Sequence, residues 1–195
     1  MALQSSGAIS LDDIHVEAGG TTGTLASIND SDIRDLIGKT ADTSMAFNEW
    51  YDASAGTVIT VTQGIKYQTM STVYGFEDGT PTGSVSPTTV NGNTITGMTI
   101  KSVYRTASSS GTFFTIDVSS GISNAIDADE FTSFSFIANG TLTTLSTSEA
   151  STSTIGGGFI RRWAWSASNG LDSTEIANIN AEWDGSGDVE VTFRP

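Results

Sequence analysis

The sequence predicts a mainly β chain: an antiparallel β-sandwich preceded by a small N-terminal segment of short helices. Composition is the first reason. Charged residues make up only 15% of the 195 residues, while Ser, Thr, Gly and Asn recur throughout; β-branched residues favour strands, and Gly and Asn favour tight turns. The second is the pattern from Thr57 onward, where short runs alternate apolar and polar residues at a spacing of roughly ten residues, as in half-buried sheets. The third is a different period before that point, which reads as helix. No ligand-cavity pattern stands out, so a sandwich is expected rather than a barrel. The expected units are residues 1–55, a short-helix docking segment, and 56–195, the β-sandwich domain.

Three copies of one phrase organise the first unit: Ile9-Ser10-Leu11-Asp12-Asp13-Ile14, Ile28-Asn29-Asp30-Ser31-Asp32-Ile33 and Met45-Ala46-Phe47-Asn48-Glu49-Trp50. Each makes a good first helical turn. Ser10 can cap, with Asp13 three residues on as in a capping box. Asn29 or Asp30 can cap the second copy, and Asp32 and Asp35 suit the positive end of its dipole. Gly38 stops that helix, and Ser44 caps the third. Helices of about two turns are marginal alone, so their apolar residues must be covered. The set is Ile9, Leu11, Ile14, Ile28, Ile33, Leu36, Ile37, Met45, Phe47, Trp50 and Tyr51. Two readings fit equally: a subdomain packed on its own chain, or a plug that docks into another protein.

Asp52 to Gly56 reads as the joint. Val58, Ile59 and Val61 open a strand, and Tyr67 to Tyr74 is a mixed run that suits a second. Gly75 to Pro87 is a loop or weak edge segment. Asn91-Gly92 signals a tight turn. Thr94 to Arg105 follows, with Met98, Ile100 and Tyr104 on one face and Lys101, Val103 and Arg105 on the other. Ser108 to Gly111 turns the chain into Phe114, Ile116 and Val118, which alternate with Thr115 and Asp117. After a polar break at Asp127 to Glu130, Phe134 and Phe136 begin a hairpin that turns at Asn139-Gly140. Ser146 to Thr154 reads as a loop, and Phe159 to Trp165 as a strand with Trp163 and Trp165 on one face. Asn169 to Gly187 reads as irregular. The last strand turns Val189, Val191 and Phe193 inward.

The formal net charge is −14, with only eight Lys and Arg. Phosphate backbones and anionic membranes need clustered cations, so neither nucleic acid nor membrane is an expected partner. There is no Cys, which excludes disulfides and thiolate chemistry. Met1 to Ser6 lacks the basic and apolar regions of a secretory signal, and no stretch reaches the ~20 apolar residues of a membrane span.

Candidate chemistry is sparse. The single His, His15, has no partner set for a triad or a zinc site. The acid pairs Asp12-Asp13 and Asp30-Asp32, and the group Asp127, Asp129 and Glu130, sit where backbone capping and turns use Asp. They do not match a calcium-loop spacing. Gly156-Gly157-Gly158 precedes a strand rather than a helix, so it is a turn and not a phosphate cradle. Trp163, Trp165 and Trp183 are either core anchors or, if exposed, a carbohydrate platform. No enzyme activity, metal or cofactor is expected.

Two groups of phrases carry a resemblance. Gly7-Ala8-Ile9-Ser10-Leu11-Asp12-Asp13-Ile14, the Glu17-Ala18-Gly19-Gly20 turn and Phe47-Asn48-Glu49-Trp50-Tyr51 resemble the N-terminal segment of many tailed-bacteriophage virion proteins, tail-fibre-like or tail-associated. The third copy departs from that pattern, with Met45-Ala46-Phe47 in place of Ile-Ser-Leu, and the middle copy is additional. Phe131-Thr132-Ser133-Phe134, Ala138-Asn139-Gly140-Thr141 and Trp163-Ala164-Trp165 are similar, in order, to a β-rich module of phage tail and fibre proteins. The resemblance implies a non-enzymatic virion structural protein, fibre-like or adaptor, in the tail or tail tip and attached by its N-terminal helices. Its partners would be other virion proteins, copies of itself in a trimer or ring, and a host surface glycan. A head decoration or cement protein and a carbohydrate-binding host-recognition module are the alternatives.

Overall fold

The computed structural model describes residues 3, 7–37, 39, 43–50, 56–79, 82–138 and 140–195, apart from the side chain of Asp35. The chain forms two compact units that divide between Gly56 and Thr57.

In the first unit, α1 (Leu11–Glu17) starts at Ser10. The Ser10 hydroxyl accepts from Asp13 N, and Asp13 Oδ2 accepts from Ser10 N at 2.9 Å, a complete capping box. α2 is only Ser31–Asp35. Its Asp30 cap turns away from the helix and accepts from Ser27 N at 2.7 Å instead. The third copy shrinks to one 3-10 turn, Phe47–Trp50. Gly38 and the Asp52–Ala55 part of the joint lie outside the described residues. Leu3, Ile14, Ile33, Leu36 and Trp50 are buried together, and Ile9, Leu11, Ile28, Ile37 and Met45 pack around them. The Trp50 indole N–H donates to Ile33 O at 3.2 Å. Arg34 is buried and ties the loops, donating to Asn29 Oδ1 at 3.0 Å and to Thr43 O at 2.7 Å.

The second unit is an antiparallel β-sandwich. Its strands are β1 (Thr57–Thr62), β2 (Gly64–Tyr67), β3 (Ser71–Glu77), β4 (Ser84–Ser86), β5 (Thr89–Val90), β6 (Met98–Ser108), β7 (Gly111–Ser119), β8 (Ser133–Ala138), β9 (Thr141–Ser146), β10 (Ser151–Ile155), β11 (Ile160–Ser166) and β12 (Asp188–Arg194). One sheet runs β4-β1-β12-β8-β9. The other runs β10-β11-β7-β6-β3-β2, with β5 also on β6.

Several elements differ from the sequence reading. Tyr67 to Tyr74 is not one strand but the end of β2, a turn at residues 68–70 and the start of β3. The expected strand from Thr94 begins at Met98, because residues 91–97 form a loop closed by Gly92 N donating to Ile95 O at 2.8 Å. A bulge between Ile100 and Ser102 shifts the register of β6. Met98 and Ile100 therefore share the inner face with Val103 and Arg105, not with Tyr104. The Ser/Thr run expected as a loop supplies β10, an edge strand held by its pairing with β11. The expected irregular segment contains α3 (Ser173–Glu182). Asp172 Oδ1 caps Thr174 N and Glu175 N, and Glu175 returns a bond to Asp172 N. Ile179 of α3 and Trp183 just beyond it are fully buried.

The core between the sheets is aromatic. Phe134 meets Phe193 edge to face at 4.8 Å, and Trp183 meets Phe114 at 4.9 Å, the preferred geometry for ring quadrupoles. Only Gln63 separates β1 in one sheet from β2 in the other. At that crossing the backbones close in: a Cβ on Gly64 would sit 2.4 Å from Gly83 N, so only Gly fits. Gln63 is buried and fully employed. Its amide donates to Glu182 O and Ser186 O, both at 2.9 Å, and accepts from Gly185 N at 3.0 Å. It thereby satisfies a carbonyl that the end of α3 leaves open.

Candidate functional site

The densest group of charged side chains lies on the outer face of the larger sheet. Ile116, Val118 and Trp163 face the core, so their neighbours Asp117 and Arg162 point away from it. Register sets Glu77, Ser102, Asp117 and Arg162 in one row across β3, β6, β7 and β11. Arg162 grips Asp117 with two parallel bonds, Nε to Oδ1 at 2.8 Å and Nη2 to Oδ2 at 2.7 Å. Lys66 reaches Glu77 at 2.7 Å. Tyr104 and Thr115 are cross-strand neighbours in the next row. Asp117 is only 2% exposed, far from the half-buried strand residue its alternation suggests. The Asp117 carboxylate raises the Arg162 pKa against the opposing effect of burial. Burial pushes the Tyr104 hydroxyl up, Arg162 partly offsets that, and Asp117 adds to it. Asp117 spends one lone pair of each oxygen on holding Arg162, and a phenol pushed upward keeps its proton. The two ion pairs tie β7 to β11 and β2 to β3; the row is not arranged as an acid–base pair.

The acids singled out in the sequence serve the backbone. Asp12 accepts from Gly23 N at 2.8 Å, and Asp13 and Asp30 hold their turns as described. The buried Glu130 accepts from Thr94 N at 2.8 Å, from Ile95 N at 3.1 Å and from the Thr94 hydroxyl. It fastens the 91–97 loop. Asp127 and Asp129 are exposed. Among the described residues no three His, Cys, Asp or Glu side chains gather closely enough to hold a metal ion. His15 Nε2 lies 2.9 Å from the Thr24 hydroxyl, which itself donates to Thr21 O at 2.6 Å. Nε2 therefore carries the proton in that pair.

The tryptophans are not a platform. Trp163, Trp165 and Trp183 are completely buried, which removes the carbohydrate reading of these three. Two indole N–H groups find carbonyls, Ala128 O at 3.1 Å for Trp163 and Ser146 O at 2.9 Å for Trp165.

The apolar docking set is also redistributed. Ile14, Ile33, Leu36 and Trp50 are sealed in the unit's own core, and Ile9, Leu11, Ile28, Ile37 and Met45 are partly covered by it. Of the set, Phe47 stays half exposed beside Trp50, at 5.9 Å between rings. Tyr51 lies outside the described residues. Val16 and Leu25, absent from the sequence-based set, are exposed too.

The sequence reading passed over one further feature, an open depression of about 400 Å³ between two hairpin tips. Gln68, Met70, Ser71 and Thr72 line it from the β2–β3 hairpin, and Ala107, Ser108 and Ser109 from the β6–β7 hairpin. Met70 is 82% exposed there, and Tyr67, which ends β2 before the turn, is 80% exposed. Its sequence signal was faint: two Ser/Thr-rich turns with no charge, which look like any loop. A second depression, lined by Ile137, Gly140, Glu182, Asp188, Val189 and Glu190, lies on the smaller sheet. No family model, curated protein or solved structure matches the chain.

Proposed function

We propose that this chain is a non-enzymatic structural protein of a tailed-bacteriophage particle. It belongs to the tail or tail tip, where the N-terminal unit attaches and the β-sandwich is the part presented outward. The observation that carries the reading is the N-terminal unit itself. Among the described residues it folds around a core of Leu3, Ile14, Ile33, Leu36 and Trp50 yet leaves Val16, Leu25 and Phe47 exposed, apolar side chains that a docking partner would cover. The first of the two groups of phrases that resemble phage virion proteins falls in the same unit, and the second falls in the sandwich. The use of Asp12, Asp13, Asp30 and Glu130 as backbone fasteners agrees with a structural role. Repeated copies around a particle axis favour a trimer or a ring, since closed symmetry is the usual arrangement of such parts.

The test is particle composition. Particles assembled with a Leu25→Ser/Phe47→Ala chain as the sole copy should lack it by mass spectrometry, while the same chain purified alone keeps its β circular dichroism. Full occupancy would show that these residues do not attach it. Immunogold label on the capsid rather than the tail would move the protein to the head.

A further inference from the structure

We infer that the free edge of β10 pairs with the same edge of a second copy of this chain, antiparallel about a two-fold axis at Ser153, so that the larger sheet runs on from one copy into the next. This goes beyond the proposed attachment and does not rest on it. The contact joins chains in pairs and is distinct from one that closes a trimer or a ring.

The first argument is the edge itself. β10 ends the larger sheet and pairs on one side only, with β11. The backbone groups on its other side are a template for a further strand. Ser151 to Thr154 are exposed on both faces of the sheet, so this strand covers no core. It carries no charged residue and no Pro, and its register with β11 has no bulge, so the devices that usually block an edge are missing from it. The other sheet edges differ. β2 carries Lys66, which reaches Glu77 at 2.7 Å. β4 has three residues and runs into Pro87. β9 is free of charge but turns Thr143 and Leu145 into the core.

The second argument, charge, selects the occupant. Two copies each carry a formal −14 and repel one another over most approaches. Residues 150–160, and the neighbouring loop at residues 118–126, contain no charged side chain, so a second copy meets this edge without setting acid against acid. The third is register. Ser151, Ser153 and Ile155 lie directly opposite Ala164, Arg162 and Ile160. They therefore share the outer face with Arg162, and Thr152 and Thr154 take the other face. A continuous sheet keeps each face on its own side, so a strand paired with its own copy is centred on a residue and not between two. The register that uses all five residues is centred on Ser153. It sets Ser153 opposite its own counterpart and Thr152 opposite Thr154 of the second copy, a favourable cross-strand pair. The fourth is rigidity. Asn124 N donates to Gly158 O at 2.7 Å, the Ser123 hydroxyl to Gly157 O at 2.9 Å and the Ser119 hydroxyl to Phe159 O at 2.8 Å. The β10–β11 turn is thus fixed before a partner arrives, which lowers the cost of binding. The seam is short beside the ~1,200 Å² of a stable complex, so the dimer should be reversible, with a Kd on the order of 10⁻⁵ M.

The experiment uses the full chain in sedimentation equilibrium and concentration-dependent hydrogen exchange. A monomer–dimer equilibrium is expected, with alternate amides of residues 151–155 exchanging more slowly as the dimer fills. Ser153→Lys and Ser153→Glu each set a like charge against itself and should weaken the dimer at least about tenfold, with β circular dichroism unchanged. Mixing the two variants should restore a dimer that holds one of each, an outcome specific to this register. Thr144→Lys, on β9, should leave association unchanged. The inference is overturned if the chain stays monomeric up to about 1 mM, if it forms a trimer or ring without slowing the β10 amides, if the mixed variants stay apart, or if Thr144→Lys is the change that dissolves the dimer.

Discussion

Removing either member of the Asp117–Arg162 pair should destabilise the sandwich, and the two removals should differ in a defined order. The pair spans β7 and β11 in direct register, with two bonds of 2.8 and 2.7 Å. The side chain of Asp117 is 3% exposed and that of Arg162 is 32% exposed. Arg162→Ala strands a nearly dry carboxylate. Asp117→Ala strands a guanidinium that water can partly reach. An exposed ion pair contributes ~0–1 kcal/mol, whereas stranding a buried partner costs ~3–5 kcal/mol. This pair lies between those limits. Arg162→Ala should cost about 3 kcal/mol and Asp117→Ala about 2 kcal/mol. For a chain of this size the smaller loss corresponds to a fall in melting temperature of roughly 4–8 °C. The double variant strands neither group, so it should cost less than the sum, with a coupling of about 1.5–2 kcal/mol. Urea unfolding of a Trp50→Phe background gives the measurement, since the remaining fluorescence comes from Trp163, Trp165 and Trp183, all in the sandwich. A coupling below about 0.5 kcal/mol, or Asp117→Ala costing more than Arg162→Ala, would refute the reasoning.

Three further outcomes are expected. Gln63→Leu leaves Glu182 O, Ser186 O and Gly185 N without the partner they now share; it should cost about 2–4 kcal/mol, with faster hydrogen exchange at Gly185 as the local reporter. The Ser10 hydroxyl, and then the Ser10 backbone N–H, hold the Asp13 carboxyl below its ordinary value of 3.8. Its support for α1 is therefore present above that value and lost as pH falls through the lower folded one, so the amide signals of Ser10 and Asp13 should shift on acidification, and Asp13→Asn should abolish that acid-dependent step. The chain from Thr57 to Pro195 should unfold in one cooperative transition, because its core residues lie within it, and a transition that broadens or vanishes on truncation would contradict this.

What the sequence disclosed depended on whether a structural cause was local. In β12 the alternation of Val189, Val191 and Phe193 with Glu190 and Thr192 is a local cause, and the inward set could be read directly. The Ser10–Asp13 box is another. Neither the β6 bulge nor β10 has one. The bulge is a mismatch with β7 and reverses Tyr104 without altering the pattern around it. Ser151 to Ile155 becomes a strand only because β11 offers it an edge. Helix α3 had a readable start in Asp172 and Glu175, but its few apolar residues sit among Asn and Ala, so the period was diluted. The outer-face pair was hidden for the same reason. Asp117 looks solvated in its own strand, and the guanidinium that covers it comes from 45 positions away. The tryptophans show the limit most plainly. An aromatic pair two residues apart has the same local pattern whether it faces sugar or core, and only the carbonyls of Ala128, in the segment before β8, and Ser146, at the end of β9, complete the polar end that permits burial. The hairpin tips are the converse case. Their Ser, Thr and Gln give no pattern because they bury little, and the juxtaposition that places Ser71 beside Ser108 exists only once β3 pairs with β6.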